Sequence, residues 1–359
     1  MIAGDLKYIK DIEFKTADDF LKAISYGGEL YKALDHKFIF RGHFSDKYQL
    51  LPYLLRKGAI DTYLPKESNL GKYHQMFCEE MDKPLITTEY DILYEFFDIV
   101  DRNGLYLPSV ERLRSIVTLP LDSKFYAAKE EWLPEELWEI AALAQHYGLP
   151  TRLLDWSSDL YVALYFATKQ ALYGTSKTEK DLLKEGAKLI EHEFLKIRGS
   201  KPEKEDTKRK EEECRIEIWA MDYKSLLAKS YTEVLNGFRL KIIRPSYSSN
   251  PNLAAQLGLF TLWQIDKSPI LPIKENLTFS DRTPLDRLVT DCLELNKVEM
   301  VDPIFYRITL PQSESASILE FLFKEGYNAA KLFPGYGGAC KAVEEYGRLL
   351  HLKVQSDKS

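Results

Sequence analysis

Twelve consecutive residues, Gln145-His146-Tyr147-Gly148-Leu149-Pro150-Thr151-Arg152-Leu153-Leu154-Asp155-Trp156, limit what this chain can fold into more than any other feature. Gly148 and Pro150 stop a helix that the spacing predicts over 134–147, where Pro134 suits an early helical position. Residues 151–155 read as a connector. A second helix follows over about 158–172, with Leu160, Val162, Ala163, Tyr165, Phe166 and Ala167 making it apolar enough to be mostly buried. A block holding His, Tyr, Thr, Arg and Asp between two such helices is either a site or an internal polar network. In the first case Arg152 binds phosphate, Asp155 orients it, and His146 serves as an acid or base near neutral pH. In the second, Arg152 and Asp155 form a structural pair.

Two further stretches put polar groups in apolar settings. Phe38-Ile39-Phe40-Arg41-Gly42-His43 reads as a buried strand ending in an arginine and a glycine. The guanidinium is a fixed fork of donors suited to phosphate or carboxylate, and Gly42 lets a ligand approach the backbone closely. An internal salt bridge beside a turn glycine explains the same residues. Gln256, in Asn252-Leu253-Ala254-Ala255-Gln256-Leu257-Gly258-Leu259-Phe260-Thr261, reads either a polar ligand edge or a strand backbone. Phe333-Pro334-Gly335-Tyr336-Gly337-Gly338 is a glycine-rich turn entering the last predicted helix, over 339–352, where free N–H groups can hold an anion.

Elsewhere, a helix is predicted over 11–33, with Thr16 as N-cap and Asp19 three residues later. Helical spacing returns over 69–100 through Tyr73, Phe77, Tyr90, Leu93, Phe96 and Phe97, divided at Pro84. Strands are predicted over 214–219, 238–243, 259–263 and 305–310, a helix over 314–326 closed by glycine, and a short strand over 329–332. Residues 191–213 hold 15 charged side chains, eight acidic and seven basic, and read as a solvated insertion. The sum is an α+β fold, a helical N-terminal half packed on a mixed or antiparallel sheet.

Composition removes several classes. Hydrophobic residues are 45% and aromatics 13%, ample for a folded core. The net charge of -6 gives no support to a chain held to nucleic acid by its overall field. Cys78, Cys214, Cys292 and Cys340 are dispersed, and with six histidines no metal-ligand spacing forms, so no metal is expected. No signal peptide or membrane helix is seen, which points to a cytoplasmic protein. Walker, Rossmann, Gly-x-Ser-x-Gly and His-Glu-x-x-His patterns are all missing.

Phe40-Arg41-Gly42 with Leu51-Pro52 and Arg56, the 145–156 block, Val162-Ala163-Leu164-Tyr165-Phe166-Ala167, Asn252, Gln256, Gly258 and Phe260, and Phe333-Pro334 with Gly338 together resemble the FRG domain family, named for its Phe/Tyr-Arg-Gly motif. The resemblance implies an FRG-type domain over 38–352, preceded by a helical segment at 1–37 and followed by a polar tail at 353–359. Gly337 stands where the family commonly has an aspartate.

Aromatic-Arg-Gly at the end of an early strand is also similar to the first motif of arginine-type ADP-ribosyltransferases. That resemblance implies NAD as cofactor and a nucleotide as partner, with the macromolecular acceptor unidentified. Arg41 would contact phosphate or ribose, and the Gly42 backbone the nicotinamide carboxamide. Tyr147 or Trp156 would stack on nicotinamide, and Thr151 and Arg152 would complete the cofactor pocket. His146, Asp155 or Gln256 would orient the ribose or acceptor. Such chemistry uses a glutamate on a late strand, and no convincing Glu-x-Glu or Gln-x-Glu motif is located on one. A bacterial toxin or antiphage effector, a non-catalytic nucleotide- or nucleic-acid-binding module, and a protein-interaction domain are the readings left by the sequence.

Overall fold

The computed structural model describes residues 7–34, 36–56, 59, 83–108, 110–114, 131–173, 214–232, 235–248, 250–266 and 282–356. The predicted insertion at 191–213, the helical spacing at 69–82 and the last three residues lie outside them.

In chain order the first elements are β1 (Ile9–Glu13), α1 (Ala17–Ile24), α2 (Glu29–Ala33) and β2 (Phe38–His43). Next come α3 (Lys83–Arg102), α4 (Glu111–Arg114), β3 (Glu131–Trp132), α5 (Trp138–His146), β4 (Leu154–Ser157) and α6 (Leu160–Thr168). Then follow β5 (Arg215–Asp222), α7 (Tyr223–Thr232), β6 (Leu240–Ile243), α8 (Pro251–Ala255), β7 (Gly258–Trp263) and β8 (Ile265–Asp266). The chain continues through α9 (Leu285–Leu295), β9 (Phe305–Pro311), α10 (Ser315–Lys324), α11 (Ala329–Leu332) and α12 (Tyr336–Ser356). The α+β expectation holds, with a mixed sheet and helices near the N-terminus.

Two compact units divide the chain, and both are discontinuous in sequence. The first comprises Met1–Tyr48, Asp159–Met221 and Phe305–Ser359. Its strands run in the order β1-β9-β5-β2, with β1 parallel to β9 and β5 antiparallel to β9. Side chains alternate across a strand. Phe38 and Phe40, Ile216, Ile218 and Ala220, and Tyr306, Ile308 and Leu310 therefore share one face. That face packs on Phe20 of α1, on α6 and on Ile318, Leu319 and Leu322 of α10. The opposite face carries Arg41, His43, Glu217, Trp219 and Arg307.

The second unit comprises Gln49–Ser158 and Asp222–Ile304. Its strands are ordered β4-β7-β6, all antiparallel, with a two-stranded β3–β8 ribbon beside them. Leu93 and Phe97 of α3 and the small face Ile140, Ala141, Ala144 of α5 pack on Ile243, Phe260 and Leu262.

Several local expectations need correcting. Residues 11–13, expected as the start of a helix, belong to a strand over 9–13: Ile9 to Glu13 register against Phe305 to Thr309, so pairing with β9 overrides helical spacing. The helix begins where its cap was expected, with the Thr16 side chain accepting from the Asp19 N–H. Residues 154–155 open β4 and are not connector, because Leu154 and Asp155 register against Thr261 and Phe260. Residues 329–332 are a helical turn, not a strand, since the Asn328 side chain caps the Ala330 and Lys331 N–H groups. The division expected at Pro84 stands apart from these: α3 starts at Lys83 with Pro84 as its second residue, and 69–82 lie outside the described residues.

Candidate functional site

In the first unit a line of hydrogen-bonded polar groups crosses the strands on the face away from the helices. Arg41 Nε donates to His43 Nε2 at 3.0 Å. His43 Nδ1 lies 3.0 Å from Glu217 Oε2, and Arg307 Nε donates to Glu217 Oε1 at 2.6 Å. Arg307 also approaches Asp11 at 3.8 Å. His43 and Glu217 are buried, while Arg41 and Arg307 reach the surface in part. An arginine Nε–H only donates, so His43 Nε2 presents its lone pair and the ring proton sits on Nδ1, facing the carboxylate. His43 is thus a neutral ring whose orientation is set by Glu217, and it orients Arg41 in turn. Burial alone would lower the Arg307 pKa; its hydrogen bond and attraction to Glu217, with Asp11 and Asp46, raise it.

Gly42 lies on the other face of β2. A Cβ added there would sit 2.0 Å from the Ala163 carbonyl oxygen and 3.0 Å from the Ala167 Cβ. The missing side chain is the space into which α6 packs. Gly338 has the same origin, with a Cβ position 1.8 Å from the Phe333 carbonyl oxygen.

The 145–156 block lies in the second unit and splits into two groups. Thr151, Arg152 and Trp156 are buried with internal partners. Arg152, 4% exposed, donates from Nε to Glu89 Oε2 at 2.6 Å and from its backbone N–H to Glu89 Oε1 at 3.1 Å. Trp132 Nε1 donates to the same Glu89 oxygen at 2.6 Å. The carboxylate paired with Arg152 is therefore Glu89 of α3 and not Asp155. Trp156 Nε1 donates to Thr261 Oγ1 at 2.9 Å, tying β4 to β7.

The second group reaches solvent. Gln145 accepts from the Thr151 hydroxyl at 2.9 Å and donates to Asp155 Oδ1 at 3.1 Å. His146 is half-buried; burial lowers its pKa and the Asp155 carboxylate pulls it partly back. Tyr147, exposed, meets the His146 ring edge-on at 5.4 Å. Gln256 caps the C-terminus of α8, and its carbonyl accepts from the Ser157 hydroxyl at 2.8 Å. Asp155 and Tyr147 are thus the polar neighbours of the one titratable imidazole of the block.

Glu217, Arg307 and Glu89 carry the geometry of both clusters and were not singled out in the sequence. Glu217 sits in an alternating strand, where a buried glutamate between Ile216 and Ile218 is the one available signal. His43 was next to the arginine but had no assigned role.

Residues 36–175 match the FRG domain model. The chain contains an FRG domain. The FRG segment draws on both units, taking β2 and α6 from the first and the 145–156 block from the second. The likeness to ADP-ribosyltransferases rests on Arg41 and Gly42 alone. No curated protein and no solved structure matches the chain. Among the described residues no helix is long and apolar enough to cross a membrane, and no group of three His, Cys, Asp or Glu side chains is placed to hold a metal.

Proposed function

We propose that the FRG-containing chain binds a phosphate-bearing nucleotide of the NAD class through Arg41. The observation that carries the reading is the Arg41–His43–Glu217 chain. A buried carboxylate fixes a buried imidazole, and the imidazole fixes one edge of a partly exposed guanidinium. A guanidinium held in direction before its ligand arrives loses less side-chain entropy on binding, which favours bidentate contact with phosphate. Glu217 supplies a strand-borne glutamate one strand from the arginine, and its work in this arrangement is to position Arg41 through His43. Arg152, Thr151 and Trp156 belong to the scaffold, and the α-carbon face of Gly42 belongs to α6.

Release of nicotinamide would make the protein an ADP-ribosyltransferase or NAD glycohydrolase. A toxin or antiphage role is what the family resemblance suggests, and it belongs to the proposal. Calorimetric titration of NAD, ADP-ribose and nicotinamide riboside into wild type and Arg41→Lys tests the reading, with nicotinamide release measured on the same samples. Saturable binding of NAD and ADP-ribose, weakened at least about tenfold in Arg41→Lys, is expected for loss of a bidentate phosphate contact. Absence of NAD and ADP-ribose binding by folded wild type would overturn it.

A further inference from the structure

The helix α12 spans 21 residues, and its two long faces differ. Gly338, Glu345 and Leu349 are buried against the unit's own core. On the opposite side lie Tyr336 (94% exposed), Cys340, Val343 (75%), Gly347 and Leu350 (46%). Their spacing is four, three, four and three residues, the repeat of a coiled-coil seam. All five are uncharged, and the exposed flank beside them carries Lys341, Glu344 and Arg348.

Among the described residues nothing accounts for Gly347. Glycine is a poor residue for a helix interior, and nothing lies within 4 Å of the position its Cβ would take. The contrast with Gly338 is plain, since there the chain's own backbone fills that space. Gly347 leaves a dent in an otherwise apolar stripe.

We infer that this face of α12 pairs antiparallel with the same face of a second copy of the chain, Tyr336 of each copy filling the dent at Gly347 of the partner subunit. In antiparallel pairing the two seam positions of a heptad face each other across the contact. Placing Tyr336 opposite the partner's Gly347 puts Cys340 opposite the partner's Val343, and the two-fold repeats both layers. Large residues thus meet small ones. With a rise of about 1.5 Å per residue, Glu344 comes within about 3 Å, measured along the axis, of the partner's Lys341. Opposite charges therefore meet at two symmetric contacts on one flank, where Glu344 also pairs with Arg348 of its own helix at 2.7 Å. The contact is isologous and closes at two copies. Its short overlap puts it at the weak end of specific interfaces, so association belongs in the micromolar range.

Sedimentation equilibrium of the full chain at tens of micromolar should show a monomer–dimer equilibrium. Val343→Glu and Gly347→Leu should each weaken it at least about tenfold. Gly347→Leu also keeps or raises the melting temperature, because leucine is the better helix former, so loss of the dimer is separable from loss of the fold. V343C should give a covalent dimer through Cys340 on mild oxidation, a bridge that only the antiparallel register allows. A wild type that stays monomeric throughout, or a Gly347→Leu chain that associates like wild type, would overturn the proposal.

Discussion

Replacing Gly42 by alanine isolates what the family's glycine does. The added Cβ would meet the Ala163 carbonyl oxygen at 2.0 Å, the Ala163 carbonyl carbon at 2.9 Å and the Ala167 Cβ at 3.0 Å. The nearest atom is backbone inside a buried helix, so no side chain can swing aside. Restoring an ordinary contact requires β2 and α6 to separate by roughly 1.5 Å, in a core that has the density of an organic crystal. Overpacking of this kind costs about 1–3 kcal/mol, and a backbone obstacle places it at the upper end. For a unit of this size about 3 kcal/mol lowers the melting temperature by about 6–12 °C. Urea denaturation and calorimetry of Gly42→Ala measure it, with Gly347→Ala as a control at a helical glycine whose Cβ site is open. The control, measured where the chain does not associate, should be neutral or stabilising. A Gly42→Ala protein as stable as wild type would refute the packing argument and return the glycine to a purely ligand-facing role.

Two further perturbations address the second unit. Glu89→Leu removes the acceptor of Arg152 and Trp132 and leaves a buried guanidinium unpaired, so urea denaturation should show a loss of about 3–5 kcal/mol. Adding Arg152→Met to that variant should recover part of it, and a double variant worse than the single would sink the ion-pair account. His146, its pKa lowered by burial, should titrate below its ordinary value of about 6.5 when followed by NMR. The unfolded chain then takes up the proton first, so stability is full above that value and falls as the pH drops through it. His146→Gln should remove that part of the acid sensitivity, and a midpoint at or above the ordinary value would contradict the assignment.

What the sequence disclosed follows the range of the interactions involved. Caps and stops act over three or four residues, so Thr16 and the glycine-terminated α10 were readable from local spacing. The alternation of β5 and the short apolar runs of β7 and β9 are readable for the same reason. The strand β1 was not, because its conformation depends on a parallel partner almost 300 residues away. The turn at Ala329 was not, because four apolar residues fit a strand and a helical turn equally until Asn328 is seen to cap it. At the sites, motif residues were visible and their partners were not. Arg152 stands three residues from Asp155, yet its carboxylate is Glu89, 63 residues upstream. Glu217 lies 174 residues from His43. A search for Glu-x-Glu could not find it, since the carboxylate is marked by burial between apolar neighbours and not by a second acid.

The two arginines of the FRG segment are held in different ways. Arg152 is joined directly to a fully buried carboxylate that also accepts from Trp132, and the pair sits inside the unit. Its charge is matched where it stands, and its cost of burial is offset only while Glu89 remains. Arg41 is tied to its carboxylate through an intervening imidazole. Because His43 must accept from Arg41, it is neutral, so it fixes the direction of the guanidinium without a charge–charge contact. The Glu217 charge is met instead by Arg307 on the far side. An ion pair made directly between Arg41 and Glu217 would have held the arginine inward, as in Arg152. The histidine spaces the two apart and leaves the guanidinium partly exposed, whereas the guanidinium of Arg152 is buried against its carboxylate.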